Sequence, residues 1–381
     1  MRPISLTVTG VQVLRPNGFS DEPVSLADGI ITDAPQSRQV DLTGFQVLPG
    51  IVDLHGDGFE RHLAPRRGLV QDKSKGLLAL DSELAACGIT TAVLAQFWSW
   101  EGGMRRPPFA KALAQALDAT RPRLFTDMHL QLRFETHLLE DYPEVLAFVA
   151  DAGIRYVVFN DHVPHAHVEA GKRPPRLTGQ ALKSGRSPEA HLQLIKDLHA
   201  RRNDVPAALD GLATALSGQG VRLGSHDDPD VATRAAMRAR GVDIAEFPET
   251  VETAQAARDA GDPIILGAPN VVRGGSHAGK QSAADAVLAG LADCLVSDYH
   301  YASLQQSVDI LADRMEGGLA AAWELVSKRP AEIMGWSDRG TISPGKRADL
   351  VIRNPEGRVE ATFVAGRIAH CAGEVAARLL G

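Results

Sequence analysis

The run Ile51-Val52-Asp53-Leu54-His55-Gly56-Asp57 sets an imidazole and a carboxylate two residues apart, where an apolar stretch gives way to a loop. Two such groups from one segment can grip one cation, and a mixed nitrogen and oxygen donor set suits zinc, manganese or iron better than calcium. The same ending recurs along the chain. Glu135 closes Leu132-Arg133-Phe134-Glu135, His162 closes Val157-Val158-Phe159-Asn160-Asp161-His162, His226 closes Val221-Arg222-Leu223-Gly224-Ser225-His226, and Asp298 closes Cys294-Leu295-Val296-Ser297-Asp298. One histidine of this kind is usually a structural residue. Several acids and imidazoles at successive strand ends point to a common target, a metal ion, whose bound water would acidify toward a pKa of about 7 and become a nucleophile for hydrolysis.

A second group of residues could hold an anion. Val272-Arg273-Gly274-Gly275-Ser276-His277-Ala278-Gly279-Lys280 alternates glycine with cations. Backbone N–H groups at paired glycines can approach a phosphate, Arg273 offers a bidentate fork, and His277 and Lys280 add donors. Arg61, His62, Arg66 and Arg67 form another basic cluster just after the His55/Asp57 pair. Either stretch would also read as an ordinary turn or a solvated basic loop.

The elements that must position these residues follow from apolar periodicity. Short apolar runs alternate with Ala/Leu-rich helical stretches from Ile51 to about Trp336, as in a parallel sheet with crossover helices. The runs are Ile51–His55, Ile89–Gln96, part of Leu124–Glu135, Tyr156–His162, Val221–His226, Asp243–Phe247, Pro263–Ala268 and Leu295–Tyr299. Eight parallel strands close as a (β/α)8 TIM-type barrel, and functional groups then sit past the C-terminal strand ends, where the polar residues above fall. Residues 1–50 and 337–381 hold β-rich runs broken by turn residues, including 340–342, 348–353 and 361–365, so both termini are expected to build one small β-domain beside a barrel of 51–336. Val163 to Ser187 reads as one long irregular, basic insertion.

Composition excludes several classes. The chain has 381 residues with 44% hydrophobic and 23% charged, the balance of a globular protein. A net charge of -7 gives no field attractive to a nucleic acid. The odd, dispersed set Cys87, Cys294 and Cys371 argues against a disulfide framework and for a reducing compartment. With no long apolar run, a cytoplasmic location without a membrane partner is expected. Oligomeric state is left open, a homo-oligomer included.

The motifs LPGIVDLHGD, GITTAV, LRFE, NDH, SHDD, AEFPET, GAPNVVRGGSHAGK, SDYHYASL and GTISPGKRADLV together resemble the amidohydrolase superfamily. Within it they are most similar to the diphosphatases of phosphonate metabolism, in the carbon–phosphorus lyase pathway. The resemblance implies a β-sandwich made from both termini. It also implies one or two divalent metals, zinc first with manganese or iron as alternatives, held by His55, Asp57, Glu135, His162 and His226. Asp298 would be both ligand and proton shuttle. No lysine stands at a matching strand end to serve as a carbamylated bridge, which leaves that place to Glu135. The superfamily more often draws its later ligands from the fourth, fifth and sixth strands. Here they fall on the third to fifth, so either a strand is uncounted or this branch uses a shifted set. The loop Val163-Pro164-His165-Ala166-His167 lacks the branch's Pro-Gly-Gln turn, and Gln131 and Lys280 stand where histidine and asparagine are common.

The implied reaction is hydrolysis of a phosphoanhydride on a small phosphorylated substrate, with Arg273, Gly274, Gly275, Ser276, His277, Lys280, Arg61 and Arg66 as the anion-binding set. Two other readings remain open from the residues: hydrolysis of an amide, cyclic amide or N-acyl bond by the same site, and a non-catalytic barrel that retains metal.

Overall fold

The structure, a computed structural model, describes residues 2–64, 66, 72–274 and 282–380. Its central element is an eight-stranded parallel sheet whose strands follow one another in chain order. They are Ile51–Gly56, Ile89–Trp98, Asp127–Glu135, Tyr156–Asn160, Arg222–His226, Ile244–Glu246, Ile264–Gly267 and Cys294–Val296, called here the first to eighth barrel strands. All ten residues of Ile89–Trp98 are buried, as expected of a parallel strand covered on both faces. The first and eighth strands meet through a parallel bridge between Gly56 and Asp298. Asp298 N donates to His55 O (2.9 Å) and Asp57 N to Asp298 O (2.8 Å). The architecture is the expected TIM-type barrel. Its strand count is also as expected, so Glu135 and His226 end the third and fifth strands and His162 lies two residues past the fourth.

Local chemistry starts the crossover helices. Asp72, Ser187, Asp230 and Thr250 each accept a backbone N–H of the first turn with their side chains, satisfying donors that a helix start leaves orphaned. Ser187 is followed by Pro188 at the first helical position, where its missing N–H costs nothing.

Both termini contribute to the remaining sheets. A six-stranded sheet pairs Leu350–Arg353 antiparallel with Gln46–Pro49, joining the two ends of the chain. A four-stranded sheet contains Leu6–Thr9, Val24–Ala27, Ile30–Thr32 and Gln39–Asp41. Leu6, Val8, Leu26, Val47, Leu350 and Phe363 are among the buried side chains of their shared core. This is the small sandwich that the sequence implied. Residues 340–342, expected as a strand, form a bend and no strand, and the last described element is a helix, Gly373–Leu380.

The expectation of an irregular insertion is corrected. Residues 163–187 hold two short helices, His165–Glu169 and Leu177–Ser184. Their apolar side chains Val163, Leu177 and Val168 pack with Trp100, Ile195 and Leu198, so burial of a few large side chains orders a segment whose composition reads as solvated. The chain divides into two compact units, residues 1–94, 119–129 and 265–381 in one, and 95–118 and 130–264 in the other. Among the described residues no helix is long and apolar enough to cross a membrane.

Candidate functional site

In the first unit, His55, Asp57 and Asp298 offer ligand atoms that lie within 4.8 Å of one another. The chain reaches this arrangement through close packing beneath it. Asp53 is fully buried and accepts from Ser297 N (3.0 Å) and Ser297 Oγ (2.5 Å), which locks the first strand to the eighth. Burial raises the Asp53 pKa, while the Ser297 hydrogen bonds oppose the rise. Gly56 is required between His55 and Asp57. A Cβ there would sit 2.8 Å from Tyr301 Cε1 and 3.0 Å from both Asp53 Oδ2 and Ser297 Oγ.

In the second unit, Glu135 is wholly buried at the end of the third strand. Its carboxylate pairs with His162 Nδ1 and also accepts from His162 N (3.1 Å) and Trp100 Nε1 (3.2 Å). Burial alone would raise the Glu135 pKa, but the His162 charge and hydrogen bonds outweigh it and hold the pKa low. Glu101 joins these two residues as a third group within ligand-bridging distance. His226 ends the fifth strand between opposite charges, with Asp227 Oδ2 3.1 Å from Nδ1 and Arg133 Nη2 2.9 Å from Nε2. Burial, reinforced by Arg133, pushes the His226 pKa down to about 4. Its ring is therefore neutral at pH 7, the state in which imidazole binds metal. His162, His226 and Asp227 form a further group within 4.8 Å.

Both sets consist of imidazole and carboxylate donors whose ligand atoms lie within 4.8 Å of one another, and this chemistry fits a divalent transition metal.

The anion-binding candidates divide. Arg273 follows a short helix, Ala268–Val272, rather than the seventh strand directly, and its Nη2 donates to Tyr299 Oη at 2.5 Å. Gly274 takes a left-handed φ of 74°. Arg61 Nη1 donates to Tyr299 O (3.1 Å) while its other nitrogen pairs with Glu83. Arg61 and Arg273 thus meet on the residue that follows Asp298. Arg66 is exposed. Gly275, Ser276, His277 and Lys280, like Arg67, lie outside the described residues.

Arg133, a polar residue of the site, was not singled out from sequence. Gln131, Arg133 and Glu135 are all buried and alternate with Leu132 and Phe134, a period-two signal within an otherwise apolar strand. Glu246, fully buried on the sixth strand, accepts from Gln131 Nε2 (2.9 Å) and Tyr156 Oη (3.2 Å), and its other oxygen lies 3.9 Å from His226 Nε2.

The chain is similar to several known proteins. The amidohydrolase family model matches residues 213–369. The chain is 33% identical over 322 residues to the alpha-D-ribose 1-methylphosphonate 5-triphosphate diphosphatase of Escherichia coli (strain K12), covering 82% of this chain and 84% of that protein. Among solved structures, the N-acetylglucosamine-6-phosphate deacetylase of Pasteurella multocida is similar with a TM-score of 0.65 at 11% identity, over 96% of this chain and 99% of that one. The 5-methylcytosine deaminase of Klebsiella pneumoniae gives 0.62 at 14%, over 97% and 98%. These two likenesses concern the fold, whereas the sequence relationship extends over most of both chains: this protein belongs to the amidohydrolase family, in the branch of the diphosphatase from Escherichia coli.

Proposed function

We propose that the chain hydrolyses the triphosphate of α-D-ribose 1-methylphosphonate 5-triphosphate, releasing pyrophosphate and leaving the 5-phosphate, in phosphonate catabolism. His55, Asp57 and Asp298 in one unit, and Glu135, His162 and His226 in the other, offer the ligands for one or two divalent ions, zinc first. Such an ion, when bound, supplies Lewis acidity and acidifies a water.

The observation that carries the reading is the meeting of Arg61 and Arg273 at Tyr299, one residue beyond Asp298. It brings two guanidinium groups to the residue that follows the carboxylate proposed to move protons. Guanidinium groups there would neutralise charge growing on a departing pyrophosphate, a need that amide hydrolysis does not have. Gly274, Arg66, Gly275, Ser276, His277 and Lys280 complete the proposed anion-binding set. Asp298 takes a proton from the attacking water and returns it to the leaving phosphate oxygen. Water thereby adds across one P–O–P bond, with no other co-reactant.

The test is phosphorus NMR of the metal-loaded protein with the ribose methylphosphonate triphosphate. Stoichiometric pyrophosphate is expected. Turnover confined to N-acyl or cyclic amide substrates would overturn the assignment.

A further inference from the structure

Beyond the Glu135, His162 and His226 side chains, the second unit gathers four groups that the reaction above does not use. His137 follows the third barrel strand and Asp161 the fourth, while His165 opens the helix His165–Glu169 and His199 lies near the end of the helix Pro188–Ala200. His165 belongs to the stretch that replaces the Pro-Gly-Gln turn of the branch.

We propose that His137, Asp161 and His165 form a second divalent transition-metal site, with His199 holding His165 from behind. Ligand atoms of the three residues lie within 4.8 Å of one another. Asp161 Oδ1 is 3.4 Å from His137 Nδ1, and Asp161 Oδ2 is 3.0 Å from His165 Nε2. Zinc held tetrahedrally at 2.0–2.1 Å spaces its ligands about 3.3 Å apart, so these atoms already stand near bonding separation.

Two further observations point to an ion. His137, which faces Asp161 through Nδ1, is only 3% exposed. Among the described residues its Nδ1 has only the Asp161 oxygen at 3.4 Å and Thr136 Oγ1 at 3.5 Å, both long for a hydrogen bond. Meanwhile His165 Nδ1 lies 2.8 Å from His199 Nδ1. If His165 donates that bond, its Nε2 lone pair faces a carboxylate oxygen, and a proton or a metal ion must stand between them. Ligating histidines commonly donate their second nitrogen to an outer partner that fixes the tautomer, and His199 is placed for that role. The side chains of Asp161 and His165 are 43% and 27% exposed, leaving solvent access for an ion. Imidazole and carboxylate together suit zinc, cobalt, nickel or copper. Such an ion would tie the segment after the fourth strand to the end of the third.

The test titrates metal-free, full-length protein with cobalt(II), read by visible absorption, and with zinc(II), read by calorimetry. His165→Ala should bind one equivalent fewer than wild type, whereas His226→Asn should keep that equivalent. His199→Ala should preserve the stoichiometry and weaken this one site about 10- to 100-fold. Should His165→Ala fail to fold, His165→Gln replaces it, because glutamine can still donate to Asp161 yet ligates poorly. Unchanged stoichiometry and affinity in the folded His165 variant would overturn the proposal and leave the four residues as a hydrogen-bonded relay. That result would not touch the diphosphatase reading, which is tested on substrate.

Discussion

Asp227, Phe247 and Asp298 are non-glycine residues with φ of 57°, 55° and 53°, each one or two positions past the end of a barrel strand. A left-handed backbone at such residues costs on the order of 1–3 kcal/mol and persists where the surroundings dictate it. At Asp298 the dictating contacts are backbone bonds to His55, Asp57 and Gly58, so the main chain that carries the carboxylate is fixed before substrate arrives. Asp298→Asn should keep full metal content and lose turnover about 100- to 10,000-fold, because an amide cannot relay the proton. Activity within about tenfold of wild type, or about 1.4 kcal/mol of barrier, would show that Asp298 is not the shuttle. His226 adds a pH dependence. Its folded pKa of about 4 lies below the ordinary histidine value of 6.5, so the unfolded chain binds the extra proton first. The metal-free protein should therefore have the full contribution above pH 6.5 and lose it as pH falls toward 4, on the order of 3 kcal/mol for this group. Urea unfolding across that range should show a flatter profile for His226→Asn.

At the scale of elements, the sequence carried the eight strands because parallel, doubly covered strands are short apolar runs ending in polar residues. Glu135, His162 and His226 were visible for that reason. Arg133 was not, since a charge inside an apolar run looks like an interruption until period two is applied to Gln131, Arg133 and Glu135. The two helices within 163–187 were hidden by basic composition, their order coming from side chains such as Leu177 that pack on residues distant in sequence, Trp100 among them. The placement of Arg61 and Arg273 on Tyr299 is likewise a product of tertiary structure. Gly56 is the tightest point of the first strand's exit. Gly56→Ala would drive a methyl into Tyr301, itself wholly buried, and into the Asp53–Ser297 bond. A loss of about 1–3 kcal/mol of stability is expected, together with reduced metal content because His55 and Asp57 flank the displaced atom. Unchanged thermal unfolding and metal content would show that the strand end yields freely.

For the whole molecule, the segment that leads into the C-terminal strands is fastened to the first unit's barrel strands by a partly buried charge network. Arg339, 8% exposed, donates to Thr91 Oγ1 (2.8 Å) on the second strand and to Asp127 Oδ2 (2.7 Å) at the start of the third. Arg347 reaches the same oxygen at 3.1 Å, and His129 Nε2 lies 3.2 Å from Asp127 Oδ1. Burial would raise the Asp127 pKa, but His129 and Arg339 reverse the shift and hold it well below the usual carboxylate range. The network's contribution is thus present above the unfolded carboxylate pKa near 3.9 and fades as pH falls below it. Removing one partner of a buried pair costs about 3–5 kcal/mol because the other charge is stranded. Here Arg347 and His129 remain with Asp127, so Arg339→Ala should fall near the lower end, about 3 kcal/mol by urea unfolding at pH 7. These groups lie at the strand starts, opposite in strand direction to His55 and Asp298, so metal stoichiometry and Michaelis constant should stay at wild-type values below the unfolding transition. A loss under about 1 kcal/mol would mean that the network is solvated enough to be replaceable. Loss of metal at unchanged stability would instead mean that strain passes along the strands to their far ends.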